Sequence, residues 1–327
     1  MEHVFIVNPI SGKADASLYL VPQIIEQAKK CNISYRVEMT QAHRHAVQLA
    51  QAYAQAGDPV RLYACGGDGT LNEVLEGVLR SGNHEAEVAS IPCGSGNDYV
   101  RNFGKPQDFL NLENQINGHA ISVDLMRTQT GISAAICSVG IDAKVAYNIP
   151  KYRRIPLCGG TMAYNLSILE NLCRPLGQKL RVEIDGKVFC DQFLIATICN
   201  GSYYGGGYCA APKADLQDGV LEVVLVRKMS RLRIASVLAK YKAGAHIAED
   251  GTVCPDLRDV LYCFHAQEVH IIPVDEKNTI VNIDGECGPA ERLDAWVMPG
   301  AVRFVLPLPV YDSWTQNKQK GQTLFVH

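Results

Sequence analysis

Val60-Arg61-Leu62-Tyr63-Ala64-Cys65-Gly66-Gly67-Asp68-Gly69-Thr70-Leu71-Asn72-Glu73-Val74-Leu75-Glu76-Gly77-Val78-Leu79 decides the fold. Val60 to Cys65 is a short, mostly apolar run of strand type, and Gly66 to Thr70 are turn formers. Leu71, Val74, Leu75 and Val78 then recur at helical spacing. Strand, tight turn and helix in succession form the repeating unit of parallel sheets. The alternation continues outward through Val4 to Asn8, Leu18 to Lys30, Ile33 to Met39 and Arg44 to Gln55 on one side, and Val88 to Ile91 on the other. Val47, Ala50 and Ala54 share a helical face, while Pro22 interrupts the first helical run. The first third therefore reads as an α/β domain with a largely parallel sheet.

Two more glycine-bearing turns follow strands in this region: Asn8-Pro9-Ile10-Ser11-Gly12 and Pro92-Cys93-Gly94-Ser95-Gly96-Asn97-Asp98. Turns at the carboxyl ends of strands in an open α/β sheet assemble the ligand crevice, and helices starting there offer unpaired N–H groups to anions. Phosphate is the natural ligand, with Ser11, Thr70 and Ser95 adding hydroxyl donors. Neither Gly-x-x-x-x-Gly-Lys-Ser/Thr nor a strand followed by Gly-x-Gly-x-x-Gly occurs, which disfavours a P-loop or a dinucleotide Rossmann site. Asp68 and Asp98 would repel a bound phosphate without a cation, so a divalent metal is expected to arrive with the nucleotide.

From about residue 122 the pattern becomes a series of strand-like runs joined by Gly, Pro and Asn, including Ser122 to Thr128, Lys179 to Ile184, Asp191 to Cys199, Gly219 to Val226 and Val302 to Val305. This predicts a mainly antiparallel, β-sandwich-like second domain with one helix, N-capped by Ser230. The expected domains are residues 1–125 and 126–305, with a cleft between them and the tail, 306–327, packing back on the first.

At 327 residues the chain is long enough for two domains, and 47% hydrophobic against 20% charged residues is a globular balance. A net charge of -3 with scattered basic groups argues against nucleic acid as a partner. Met1-Glu2-His3 leads straight into a strand-like run with no cationic flank, and no apolar stretch reaches the roughly 20 residues of a bilayer span. A cytoplasmic location is expected. None of the 12 cysteines forms a Cys-x-x-Cys pair, and Cys65, Cys137, Cys199 and Cys263 lie in apolar runs as small reduced core residues.

In order and spacing, Asn8-Pro9-x-Ser11-Gly12, Gly66-Gly67-Asp68-Gly69-Thr70-Leu71-Asn72-Glu73 and Gly94-Ser95-Gly96-Asn97-Asp98 resemble the three nucleotide motifs of the diacylglycerol-kinase catalytic-domain family. That family includes bacterial lipid kinases and, more distantly, sphingosine and ceramide kinases. The resemblance implies an ATP- and Mg2+-dependent kinase acting on a lipid or lipid-like hydroxyl. It implies nucleotide contacts from Asn8, Pro9, Ser11, Gly12, Thr40, Gly66, Gly67, Asp68, Gly69, Thr70, Asn72, Glu73, Gly94, Ser95, Asn97 and Asp98. It assigns the catalytic base to Glu286 of Ile283-Asp284-Gly285-Glu286, with Asp284 nearby and Asp68 facing it. Transfer to an alcohol needs one such carboxylate to accept the hydroxyl proton.

A structural magnesium site is implied at Asp215, Asp218 and the Val220 carbonyl, with Gln217 standing where some relatives carry a carboxylate. A homodimer is implied by analogy with bacterial members. The middle motif is shared with NAD kinases, which leaves an NAD kinase as the enzymatic rival and a catalytically silent binding protein as the rival of another class. Lys151-Tyr152-Arg153-Arg154-Ile155-Pro156-Leu157 and the cations Arg227, Lys228, Arg231 and Arg233 are candidates for contact with an anionic membrane surface. Tyr203-Tyr204-Gly205-Gly206-Gly207-Tyr208 reads as a loop near the acceptor cleft.

Overall fold

The computed structural model of the chain describes residues 1–12, 14–153 and 160–319. The first lobe runs β1 (Glu2–Val7), α1 (Ala16–Lys30), β2 (Tyr35–Met39), α2 (His45–Gln55), β3 (Val60–Gly66), α3 (Asp68–Ser81), β4 (Glu87–Pro92) and α4 (Leu112–Ile116). Then come β5 (His119–Thr128), β6 (Ile132–Ser133), β7 (Ile136–Gly140), α5 (Ile141–Arg153), α6 (Gly160–Cys173), β8 (Gln178–Ile184) and β9 (Lys187–Cys199). The remaining elements are β10 (Tyr203–Tyr204), β11 (Tyr208–Cys209), β12 (Leu221–Arg227), α7 (Arg231–Lys242), β13 (Leu261–Ala266), β14 (Glu268–Pro273), β15 (Thr279–Ile283), β16 (Glu286–Ala290), β17 (Leu293–Leu306) and α8 (Leu308–Gln319).

Strands β2, β1, β3 and β4 lie in that order and are all parallel. Both faces of this sheet are covered, as an apolar strand without alternation requires. Val4 and Ile6 of β1 pack with Leu71, Val74 and Leu75 of α3 and Ala46 and Ala50 of α2. Phe5 and Val7 face Leu20 and Ile24 of α1 on the other side. Asp15 N-caps α1, and Pro22 sits within that helix without ending it. The carbonyl that loses a partner belongs to Leu18, which is on the solvent side. The parallel register brings the carboxyl ends of β1, β3 and β4, and therefore all three glycine turns, to one edge.

The second lobe is the antiparallel, sandwich-like part. The first half of β9 pairs with β8, while its second half lies between β7 and β12. Its interior is filled by Cys137, Val139, Val182, Ile198, Val223, Leu225, Ile271 and Ala295, among others. Cys65, Cys137 and Cys199 are buried as expected, Cys263 is partly buried, and the 11 described cysteines are all free thiols.

The expectation of one helix in this lobe is corrected to three, because α5 and α6 precede α7. Pro150 lies inside α5, and in α6 Ile168 and Leu172 line a cavity while Met162 and Leu169 are exposed, so no single stripe appears. Ser230 does cap α7, accepting from the Arg233 N–H.

The two lobes share β17. Its first part pairs with β14, its whole length follows β5, and Arg303 and Phe304 lie parallel to β4. The register shifts between Met298 and Val302, around Gly300 with φ +56°. Beyond it, Tyr311 of α8 packs its ring against His119 at 4.6 Å.

Candidate active site

The first and second glycine turns are pinned to one another before any ligand is considered. Asn8 donates from Nδ2 to Thr70 Oγ1 at 3.0 Å, and its own Oδ1 accepts from the Ile10 N–H. Thr40 donates its N–H to the Val7 carbonyl, holding the end of β2 beside β1. Gly12 has φ +86°, and a side chain there would strike the Cys93 carbonyl. A Cβ on Gly94 would lie 2.5 Å from the Gly67 Cα, so the second and third turns touch backbone to backbone. Asn97 braces its own turn, with Oδ1 accepting from the Gly94 N–H and Nδ2 donating to the Gly94 carbonyl.

Asp284 and Gly285 are the two central residues of the β15–β16 hairpin, with φ +46° and +91°, and Asp-Gly is a favoured pair for that turn. The Asp284 carboxylate accepts five hydrogen bonds: Asn72 Nδ2 at 2.6 Å, Ser133 Oγ at 2.9 Å, and the N–H groups of Ala134, Ala135 and Ile136 at 2.6, 3.1 and 2.9 Å. It joins α3 of the first lobe to the β6–β7 segment of the second. These bonds anchor the hairpin to both segments. Glu286, two residues on, makes no such bonds; its side chain is 67% exposed, with His43 Nδ1 at 3.9 Å.

Gly12, Asp68, Ser95 and Glu286 line a single cavity of about 730 Å³, together with Gly67, Gly69, Gly94, Gly96, Asp98 and Asp284. Most of the remaining wall is apolar and comes from the second lobe, including Ile141, Val145, Leu194, Val226, Ile234 and Val237. Tyr203, Tyr204, Gly205, Gly206 and Tyr208 also line it, so that loop does border the cavity. A second cavity of about 330 Å³ lies beyond Glu286, bounded by Arg44, Asn72, Glu73, Gln129 and Pro289. Gly69, Asp284 and Glu286 belong to both. Asn8, Pro9, Ser11, Thr40, Gly66, Thr70 and Asn97 are outside the lining of both.

Burial, then the charges of Asp98 and Asp284, push the Asp68 carboxyl up to about 6, against an opposing hydrogen bond from the Tyr99 N–H. Asp98 is raised by burial as well, although the Gly206 N–H donates to its Oδ2 at 2.7 Å and Arg101 pairs with it at 3.2 Å. A part-buried carboxylate beside a buried one gathers hard oxygen donors at one place, which suits a hard divalent cation.

Glu73 is used differently from the expectation of a nucleotide contact. Its oxygens accept from the Arg44 and Ala46 N–H groups at 2.9 and 3.1 Å. They cap α2, whose own first residues supply no side-chain cap.

The acidic turn in the second lobe stands apart from the cavity. Asp218 Oδ1 accepts from the Val220 N–H, and Asp215 Oδ1 from the Gln217 N–H. Burial and the charges of Asp215 and Asp124 raise the Asp218 pKa. Carboxylate and carbonyl oxygens fit magnesium chemically, but Lys318 already stands 3.4 Å from Asp215 Oδ2. Among the described residues no three His, Cys, Asp or Glu side chains converge on a metal position.

Sequence reasoning passed over Asp124, which accepts from the Gly219 and Gly300 N–H groups at 2.8 and 2.7 Å and so ties the acidic turn to β17. Its signal was an acidic residue inside an apolar strand. It also passed over Asp142, two residues after the glycine that ends β7, and the contact of Gly206 with Asp98.

Arg154, Ile155, Pro156 and Leu157 of the basic group fall outside the described residues. Lys151 pairs with Glu170, Arg227 with Asp191 and Arg233 with Asp259, which reduces the exposed positive charge. No described helix is long and apolar enough to cross a membrane.

Two family models cover most of the chain. The diacylglycerol kinase catalytic domain matches residues 2–128, and the YegS C-terminal NAD kinase beta sandwich-like domain matches residues 135–306. A Shewanella frigidimarina protein named "Probable lipid kinase YegS-like" is 29% identical over 268 residues, spanning 80% of this chain and 81% of its own. A Bacillus subtilis diacylglycerol kinase is 27% identical over 285 residues, spanning 86% and 89%. The crystal structure of a Bacillus anthracis diacylglycerol kinase superposes with a TM-score of 0.67 at 19% identity, covering 94% of this chain and 98% of that one. At that identity it speaks to the fold alone.

Proposed function

Because the chain belongs to the family that joins a diacylglycerol kinase catalytic domain to a YegS-type C-terminal domain, we propose that it transfers the γ-phosphoryl group of ATP to a lipid hydroxyl, diacylglycerol being the first candidate. The observation that carries this reading is the mixed character of one cavity. Glycine turns and carboxylates line one end, and the aliphatic walls of α5, α7, β9 and β12 line the other. A phosphate donor suits the first and an acyl chain the second.

Glu286 accepts the proton of the attacking hydroxyl, while Asp284 fixes the hairpin that presents it. The amides of the Gly67–Gly69 and Gly94–Gly96 turns cradle the donor's phosphates. Magnesium bound with the nucleotide would neutralise their charge, and Asp68 and Asp98 are the residues that would hold it. A second magnesium at Asp215, Asp218 and the Val220 carbonyl would brace the acidic turn. Encounter with a bilayer surface and assembly as a homodimer complete the reading.

The test is incubation with labelled ATP, magnesium and a total lipid extract, followed by identification of the product. Label in an organic-soluble phosphate ester supports the assignment. Label appearing in NADP alone would overturn it in favour of an NAD kinase, the activity of the proteins whose sandwich the second lobe resembles.

A further inference from the structure

The carboxylate assigned as the base leans on the opposite lobe. Glu286 opens β16 with a side chain that is 67% exposed, and the ion-pair partner it finds within 4 Å among the described residues is His43 of the first lobe, whose Nδ1 stands 3.9 Å from its Oε1. An exposed glutamate turns freely about three side-chain bonds, whereas a base must stand where the proton leaves. The same Nδ1 is 3.5 Å from Oε1 of Glu73, a carboxylate only 17% exposed. Carboxylate oxygens accept, so Nδ1 carries the hydrogen and faces one fixed acceptor and one loose one. Contacts of this kind are long before substrate binds and shorten in the reacting complex.

The loop that carries His43 is tied down on both sides. The Gln41 N–H donates to His45 Nδ1 at 3.1 Å. Arg44, with φ +62°, donates its N–H to Glu73 Oε1 at 2.9 Å and its guanidinium to Glu76 at 2.7 Å, and the Ala46 N–H donates to Glu73 Oε2 at 3.1 Å. Glu73 follows Asn72 in α3, and Asn72 donates to Asp284 at 2.6 Å. Consecutive residues of α3 therefore serve both carboxylates of the hairpin: Asn72 touches Asp284 itself, and Glu73 reaches Glu286 through the imidazole. Arg44 is the other cation bordering the second cavity with Glu286, and its guanidinium is taken by Glu76.

We propose, resting on the lipid kinase reading in which Glu286 is the base, that His43 is a positioning residue: its Nδ1–H, backed by Glu73, holds the Glu286 carboxylate from across the cleft in the orientation that accepts the proton of the attacking hydroxyl. His43 transfers no proton itself. A base fixed from the opposite lobe is in place only while the nucleotide lobe and the sandwich stand together, which ties the acceptor's activation to the assembled site.

The experiment measures phosphorylation of a lipid extract in detergent micelles, with labelled ATP and magnesium, by the full chain and its His43→Leu and His43→Asn variants, the former also combined with Glu286→Gln. His43→Leu, which fills the space without a donor, should lower kcat by about ten- to a hundredfold, the cost of displacing a reacting group by about 1 Å, with the KM for ATP and the melting temperature unchanged. His43→Asn, whose Nδ2 takes the place of Nδ1, should recover most of that loss. With Glu286→Gln already present, His43→Leu should cost less than about twofold more, because a residue acting through the base has nothing left to position. An equal cost with and without the Glu286 carboxylate overturns the proposal, and so does native kcat in His43→Leu. A His43→Leu variant that melts lower and binds ATP more weakly overturns it as well, assigning the histidine to the start of α2. Two results strike the underlying reading instead: no phosphorylation of any lipid by the native protein removes the lipid kinase assignment, and native turnover in Glu286→Gln removes the base.

Discussion

Glu286 and Asp68 carry opposite burdens. Glu286 is mostly exposed and its loss should cost little structure, so Glu286→Gln is expected to leave the melting temperature unchanged and nucleotide binding intact while lowering kcat by about 10²- to 10⁴-fold. Stopped turnover together with lost ATP binding would show a structural role instead. Asp68 is costly to keep. Its pKa is raised from 3.8 to about 6, so the folded protein holds that proton more tightly than the unfolded chain. The contribution to stability therefore falls as pH rises through this interval, and above it the unliganded protein bears the whole penalty. Asp68→Asn should stabilise the unliganded protein by about 1–2 kcal/mol at pH 7 and by clearly less at pH 5, while abolishing activity. Calorimetry at the two pH values checks this, and an equal gain at both would contradict it. The glycine turns and the Asp284-Gly285-Glu286 hairpin were legible from residue identity and order. The five bonds to Asp284 were not, because their donors lie at residues 72 and 133–136, far off in the chain.

Among the elements, α2 depends on a neighbour for its beginning. Glu73 of α3 supplies the acceptors for its first N–H groups, so Glu73→Ala should destabilise the protein by about 1–2 kcal/mol, with faster amide exchange in the first turn of α2. Unchanged protection there would remove the capping role. The acidic turn before β12 is the other local dependence. Asp218→Ala is expected to weaken activity at low magnesium and to lower the magnesium dependence of melting. Unchanged titration and melting would assign the turn to Asp124 and Lys318 without a metal. Periodicity revealed α2 and α3 and the Ser230 cap revealed α7, while most sandwich strands showed as apolar runs between turn residues. It missed α5, which carries Pro150, and α6, whose Met162 and Leu169 are exposed, so neither shows a single apolar stripe.

At the scale of the whole molecule, the strand rhythm marked two regions, but it could not reveal that β17 belongs to both. Pairing between residues about 180 or 215 positions apart has no local trace, as Ser122 with Arg303 and Val88 with Phe304 illustrate. A fragment ending at residue 128, where the first family match stops, would leave β4 without its outer neighbour and β5 without its long partner. Such a fragment should associate through these edges and lack a sharp near-ultraviolet spectrum; a monomer that melts cooperatively would disprove this. The shared strand also bears on how such enzymes exchange parts. A single crossover between two relatives would pair one parent's front half with the other's closing strand, mismatching side chains along the whole seam. Chimeras that swap acceptor preference need two junctions, one after β5 and a second at the Met298–Val302 irregularity, so that the strand's far end stays with the nucleotide lobe of its own parent.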